Sequence, residues 1–361
     1  MAAKLLPYEP DYLTHPGELL EELLDARGMT KAELAERCGR PTKTISEIIH
    51  GKAAITAETA IQLARVLGMA PEIWQNLEAN YRLRLTMREE SKQLGGASEW
   101  AKRFPWKILV EREVFDTPRD DADLVKKLLA FFGVGTVAGW EASFGQMRVA
   151  YRRSPAFEAA PENVTAWIRL GEICAAHIEC ARFDKTRFRE VLDEARTMTA
   201  RSFPDVHQRL VTHCAEAGVA LVLVPELPKL HMSGLARWLH KDKALIQLSL
   251  RYKTADHLWF SFFHEAGHIL LHGKKTIFID ENGGDRSELE DETNRFAGDQ
   301  LIPPAEYRRF VAAGDFGRAA VVAFAKQQGI GAGIVVGRLQ HEKLLPYSQL
   351  NELKEKLVWA E

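Results

Sequence analysis

The chain has 361 residues, 46% hydrophobic and 27% charged, a composition that excludes a disordered or fibrous protein and fits two or three globular domains. Lysine and arginine total 48 against 50 aspartates and glutamates, for a net charge of −2. That balance disfavours bulk polycation binding to nucleic acid but leaves room for a local basic surface. Met1 to Pro10 hold one lysine and no apolar stretch, so no signal peptide is expected. The strongest apolar run, near Val219 to Val224, falls far short of the ~20 residues that cross a bilayer. Cys38, Cys174, Cys180 and Cys214 are too few for a disulfide scaffold in so long a chain. A cytoplasmic location with no membrane partner is the expectation.

Residues 1–90 read as five short helices with tight turns. Leu19, Leu20, Leu23 and Leu24 mark the first, closed by Arg27-Gly28. Thr30 is an N-cap with Glu33 completing a capping box, and this second helix carries Leu34 and Ala35 and stops near Cys38-Gly39. A third begins at Pro41-Thr42, where proline is tolerated, turns Ile45, Ile48 and Ile49 inward and ends at Gly51. A fourth covers Thr59 to Leu67 and a fifth starts after Pro71. The polar segment from about Glu89 to Gly96 reads as a boundary. Residues 91–200 read as a helical connecting region, periodic around Leu124 to Phe132 and Thr165 to Ile178, with no motif that assigns a role. Residues 201–361 change pattern: strands at Val219–Val224, Gly234–Leu239 and Ala244–Leu250, then helices over about 255–272, 288–301 (stopped by Pro303-Pro304), 318–328 and 334–341. The expected fold is mainly α with a small α+β domain at the C-terminal end.

His264-Glu265-Ala266-Gly267-His268 is an H-E-x-x-H sequence. On a helix, positions i and i+4 share a face, so both imidazoles reach one Zn²⁺, and Glu265 beside them can take a proton from water activated there. Leu258, Phe262, Ile269, Leu270 and Leu271 make the helix a buried, rigid support. A third ligand is required. His272 lies about 12 Å along the axis from His264, too far for bonds of about 2 Å to one ion, and is expected to bond locally. Glu290 and Asn294, four apart on the next helix, share a face: Glu290 can ligate while Asn294 orients a metal-bound histidine. Glu292, on another face, is the rival, and all these acids also suit a helix start, where the dipole favours them.

This constellation resembles the ImmA/IrrE family of metallopeptidases over about residues 200–350. The resemblance rests on H-E-A-G-H-I-L-L-H, on E-x-E-x-N-R-F-A-x-x-x-L-I-P (Glu290 to Pro303) and on F-A-K-Q-Q-G-I-x-x-x-I-V-V-G-R-L-Q (Phe324 to Gln340). It implies a zincin-like domain with a zinc site whose third ligand is the first acid of the E-x-E-x-N segment, Glu290. Thr293 departs from the alanine common there. It also implies a sheet edge beside the metal helix, for which Ser233-Gly234-x-x-Arg237-Trp238 and Ala244–Ser249 are candidates; an extended peptide adding to that edge favours a protein substrate.

Residues 30–50 fit helix–turn–helix: Thr30–Cys38, a turn at Gly39, and a recognition helix over Thr42–His50. Ala35 is small where the two helices cross. Arg40, Thr42, Lys43, Thr44, Ser46, Glu47 and Lys52 are the expected DNA-facing residues. From Arg37 to Lys52 there are four basic residues and one acid, although residues 1–90 hold 11 basic and 14 acidic ones, so positive charge concentrates on the presumed docking face. Few phosphate contacts per monomer favour a dimer on two half-sites. The segment closely resembles XRE-family regulators of the HigA-like antitoxin subgroup over about residues 8–85, through H-P-G-E-L-L (His15 to Leu20), T-I-S-E-I-I-H-G-K (Thr44 to Lys52), A-I-T-A-E-T-A-I-Q-L-A (Ala54 to Ala64) and W-Q-N-L-E-A-N-Y (Trp74 to Tyr81). That resemblance implies a five-helix, lambda-repressor-like bundle, operator binding to double-stranded DNA and a homodimer.

Two other patterns are read as structural. Cys174, His177 and Cys180 drift around a helix with no fourth ligand in sight. The Phe324 to Leu339 pair has a helix–turn–helix outline but sits inside the peptidase resemblance. The whole reads as a DNA-binding regulator with a zinc-dependent peptidase domain that cleaves a repressor, a toxin–antitoxin partner or itself. The alternative is a non-catalytic autorepressing antitoxin or phage-type repressor whose peptidase-like domain senses a ligand or partner.

Overall fold

The computed structural model describes residues 15–144, 160–230, 232–272 and 284–359. Met1 to Pro10, where no signal peptide is expected, lies outside them. The chain divides into two compact units, Met1–Ser98 with Arg119–Val125, and Glu99–Pro118 with Lys126–Glu361. Among the described residues no single helix is long and apolar enough to cross a membrane.

The first unit is built on α1 (Pro16–Ala26), α2 (Lys31–Cys38), α3 (Thr42–Ile49), α4 (Ala57–Leu67) and α5 (Pro71–Gly95). Local chemistry accounts for each start. His15 Nδ1 accepts the backbone N–H of Gly17 at 2.8 Å, with Pro16 in the first turn. Thr30 and Glu33 form the expected capping box, and Thr56 caps α4. A side chain at Gly17 would collide with the backbone of Ile48 and Ile49, so glycine there lets α1 lie directly on α3. Leu20, Leu34, Ile45, Ile48, Leu63 and Trp74 fill the core. The boundary expected at the polar stretch 89–96 lies at the end of a helix, since α5 runs through the stretch to Gly95 and the first unit's main segment ends at Ser98. The residues of the stretch are strong helix formers, with a Lys92–Glu89 pair at 2.7 Å, and the glycines act only at its end.

The second unit holds α6 (Ser98–Ala101), α7 (Trp106–Glu111), α8 (Asp121–Phe132, whose first turn belongs with the first unit), a helix α9 over 137–144, α10 (Pro161–Ala176), α11 (Lys185–Met198), α12 (Phe203–Glu216), strands β1 (Val219–Leu223), β2 (Gly234–His240) and β3 (Lys243–Leu248), then α13 (Ala255–Leu271), α14 (Gly284–Leu301), α15 (Pro304–Ala313), α16 (Arg318–Gln328) and α17 (Ala332–His341). The sheet order is β1-β3-β2, with β1 parallel and β2 antiparallel to β3. Alternation along the strands sorts the two faces. Val219, Leu221, Ala236, Ala244, Ile246 and Leu248 join the core around α13. On the other face Gln247 Nε2 donates to the Trp167 carbonyl of α10 at 2.7 Å, and Trp167 Nε1 donates to the Val224 carbonyl at 3.1 Å. The sheet is therefore a middle layer, and β3, covered on both sides, is buried along almost its whole length. The chain is mainly α with a small α+β assembly at its C-terminal end, as its sequence predicts.

Near the end of the chain Ala255 N donates to the Glu355 carbonyl and Leu357 N to the Lys253 carbonyl, both within 2.9 Å. This tail pins the first turn of α13, where Asp256 and Lys354 form an ion pair at 2.7 Å with 4% and 9% of their side chains exposed.

Candidate metal centre

Helix α13 carries His264 and His268 one turn apart, on the face toward α14. Their Nε2 atoms lie 3.1 Å from each other. Glu290, on α14, reaches both: Oε2 is 3.1 Å from His264 Nε2 and Oε1 is 3.3 Å from His268 Nε2. One ligand atom from each of the three residues falls within a 4.8 Å cluster, the only such His, Cys, Asp or Glu grouping among the described residues. Two imidazole nitrogens and a carboxylate are a zinc donor set that leaves a coordination position open. The residues fit the ion: two imidazole nitrogens and an acid crowd one point that a cation would neutralise.

The two helices approach closely because Gly267 faces Thr293. A Cβ at Gly267 would stand 3.1 Å from Thr293 Cγ2 and 3.0 Å from Phe296 Cδ1. Thr293 is fully buried, and its hydroxyl donates to the carbonyls of Leu289 and Glu290 at 3.0 Å. The hydroxyl is thus satisfied within its own helix, which is how a threonine is tolerated at this position.

Asn294 lies where its spacing from Glu290 predicts, with Oδ1 3.1 Å from His264 Nδ1. A carbonyl oxygen only accepts, so this contact is a hydrogen bond when His264 carries its proton on Nδ1, the tautomer that leaves Nε2 available to a cation. His272, excluded as a ligand on axial distance, bonds to His268 instead: its Nδ1 is 3.1 Å from His268 Nδ1. Glu292, the rival ligand, is not at the centre; its Oε2 lies 3.2 Å from His272 Nε2. The local bonding expected of His272 is thus with His268, one turn back, and the contact of Glu292 with His272 is what the residue pattern did not reveal.

Glu265 lies in the contact between α13 and β2, close to Gly234 and within electrostatic reach of His264 and Glu290. It is buried, and the backbone N–H of Ala236 on β2 hydrogen-bonds its carboxylate. Burial pushes its pKa up to about 7 against the pull of His264. At His264 burial opposes the charged form, but hydrogen bonding to Glu290 and the charge of Glu265 outweigh it and the pKa rises. Burial dominates at His268 and lowers its pKa. Burial also works against the Glu290 carboxylate, yet the two imidazoles that face it hold it well below the usual range. Glu265 is thus poised to exchange a proton near neutral pH.

The helix–turn–helix residues lie on α2, α3 and the turns that flank α3. Ala35 is buried at the crossing and Gly39 takes the left-handed conformation that closes α2 (φ 63°). Thr42, Lys43 and Lys52 are exposed, and Thr44, Ser46 and Glu47 half-buried. Lys43 lies 3.8 Å from Glu47, one turn on. Arg40 turns to α4 instead: Nε donates to Gln62 Oε1 and Nη2 pairs with Glu58, both at 2.7 Å. The second helix–turn–helix outline folds as α16 and α17 around Gly329, and Val335, Val336 and Leu339 of α17 are buried in the core that includes α13.

Comparison with known proteins bears on both parts. The helix-turn-helix family model matches residues 20–74 and the IrrE N-terminal-like domain matches residues 221–319. Over 63 residues the chain is 38% identical to an uncharacterized HTH-type transcriptional regulator, YddM, of Escherichia coli K12, a stretch that covers 18% of this chain and 67% of that protein. It is 43% identical over 63 residues to the antitoxin HigA-1 of Vibrio cholerae, covering 17% of this chain and 59% of that one. Among solved structures, an addiction module antidote protein of the HigA family from Coxiella burnetii is 31% identical and covers 29% of this chain and 98% of its own, with a TM-score of 0.22.

Proposed function

This chain belongs to the XRE-type helix-turn-helix regulators and carries an IrrE N-terminal-like domain, and from that premise we propose that it is a DNA-binding transcriptional regulator whose second domain is a zinc-dependent metallopeptidase. The observation that carries the peptidase reading is the convergence of His264, His268 and Glu290 within 4.8 Å, with Glu265 buried beside them against β2. His264 and His268 would hold zinc through Nε2, and Glu290 through its carboxylate. Zinc, when bound, supplies a Lewis acid that makes water nucleophilic near neutral pH and polarises a carbonyl.

The chain's own residues supply the rest. Glu265 takes a proton on its carboxylate and can return it to a leaving amine, a role that suits a group whose pKa lies near 7. Among the described residues strand β2 pairs with β3 on one side only and ends the sheet, so its other edge would offer main-chain donors and acceptors to an extended peptide beside Glu265. This favours a protein substrate, either a repressor, a toxin–antitoxin partner or the chain itself.

For the first domain, the resemblance to HigA-type antitoxins supports operator binding as a homodimer, with Thr42, Lys43, Thr44, Ser46, Glu47 and Lys52 toward the groove. Arg40 contributes less, because it is engaged by Glu58 and Gln62. The reading places the protein in the cytoplasm with the DNA it binds.

The test uses the full-length, zinc-loaded protein with itself and with the products of adjacent genes. Cleavage by wild type and none by Glu265→Gln with zinc retained is the expected result. If wild type cleaves nothing, or Glu265→Gln cleaves as well as wild type, the peptidase reading fails. No shift of the protein's own upstream DNA at low salt overturns the regulator reading.

A further inference from the structure

We propose that His272 and Glu292 form a positioning relay behind the ligand His268, so that zinc affinity depends on two residues that never touch the metal; the inference rests on the zinc reading above. His272 closes α13 and only 5% of its side chain is exposed. Both of its ring nitrogens lie within hydrogen-bonding distance of a partner: Nδ1 is 3.1 Å from His268 Nδ1, and Nε2 is 3.2 Å from Glu292 Oε2. A buried imidazole held at both ends is fixed in orientation, and an imidazole offers one donor and one acceptor when neutral.

The chemistry of the end partner sets the direction of the whole chain. An ionised carboxylate only accepts, so His272 donates Nε2–H to Glu292. That leaves His272 Nδ1 as an acceptor, and His268 donates its Nδ1–H to it. His268 then carries no proton on Nε2, the atom 3.3 Å from Glu290 Oε1. The relay delivers the tautomer that zinc requires, as Asn294 does for His264 by accepting from Nδ1 at 3.1 Å. The two ligands are thus set by different devices, an amide for one and a histidine–carboxylate pair for the other. The second also increases the basicity of His268.

The i, i+4 steps from His264 to His268 to His272 acquire a physical meaning here. The first step spaces two ligands on one ion. The second spaces a ligand from its support, because the axial distance that prevents His272 from reaching the ion brings it to the far nitrogen of His268.

Zinc affinity of the full-length, metal-free chain, measured by competition with a chromophoric chelator, tests this without any peptidase assay. His272→Ala is expected to weaken zinc binding about 10–100-fold, with the thermal midpoint of the metal-free protein close to wild type. His272→Gln, whose amide can accept from His268 and donate to Glu292, is expected to recover part of the loss. Glu292→Gln should weaken binding less than His272→Ala. The double variant should be no weaker than His272→Ala alone, because Glu292 acts through His272. If wild type binds zinc tightly and His272→Ala binds it equally well, or the two losses simply add, the relay is overturned and the zinc reading stands. If wild type binds no zinc, the zinc reading itself falls.

Discussion

The Glu265 carboxylate lies against the backbone of Gly234: a methyl group there would stand 2.6 Å from Glu265 Oε1 and 2.8 Å from Cγ. Gly234 opens β2, so the proposed proton acceptor and the proposed substrate-binding edge touch at one residue without a side chain. Gly234→Ala should push Glu265 away from its contact with Ala236 while leaving His264, His268 and Glu290 in place. The expected outcome is a fall in kcat/KM for peptide cleavage of about 10–100-fold with zinc content unchanged. Peptidase assays and metal analysis on the same preparation check it; full activity in the alanine variant would contradict the placement of Glu265.

The buried pair of Asp256 and Lys354 ties the C-terminal tail to the first turn of the helix that carries His264 and His268. Removing the cation leaves a carboxylate in the interior without its partner. Lys354→Met should therefore destabilise the second unit by about 3–5 kcal/mol. Adding Asp256→Asn should restore much of that loss, since the unpaired charge then disappears. Denaturant unfolding of the single and double variants measures both; equal stability of wild type and Lys354→Met would show that the pair contributes nothing.

On the DNA side, Lys43 and Lys52 are exposed while Arg40 is held by Gln62 and Glu58. Lys43→Ala and Lys52→Ala should each weaken binding to operator and to unrelated DNA alike, and lower the slope of log affinity against log salt by about 1. Arg40→Ala should change that slope less. Fluorescence anisotropy across a salt series distinguishes them, and a slope that falls most with Arg40→Ala would reverse this assignment.

Much of this molecule was legible in its residue pattern, for definite reasons. Thr30 with Glu33, and Gly39 after Cys38, are local devices whose chemistry acts within one turn, so the helix ends fell where the residues placed them. The histidine spacing of α13 put His264 and His268 on one face, and the step from Glu290 to Asn294 put those two on one face of α14. What escaped depended on tertiary contact. No local signal told that Arg40 would turn to α4. The polar segment 89–96 marked a boundary but not its form: ion pairing and helix propensity keep it helical to Gly95, and the first unit's main segment ends at Ser98. Helix α10 carried no motif because a helix covering a sheet needs only apolar periodicity. Its contact shows in Gly171, where any side chain would overlap the Gln247 amide.

The central claim is that His264, His268 and Glu290 hold zinc, and the zinc content of the full-length chain tests it most directly. Wild type and Glu265→Gln, purified together with His264→Ala and Glu290→Ala, are analysed by elemental mass spectrometry after dialysis. The account predicts stoichiometric zinc in the first two and its loss from both alanine variants. Equal zinc in all four, or none in wild type supplied with the metal, would contradict it.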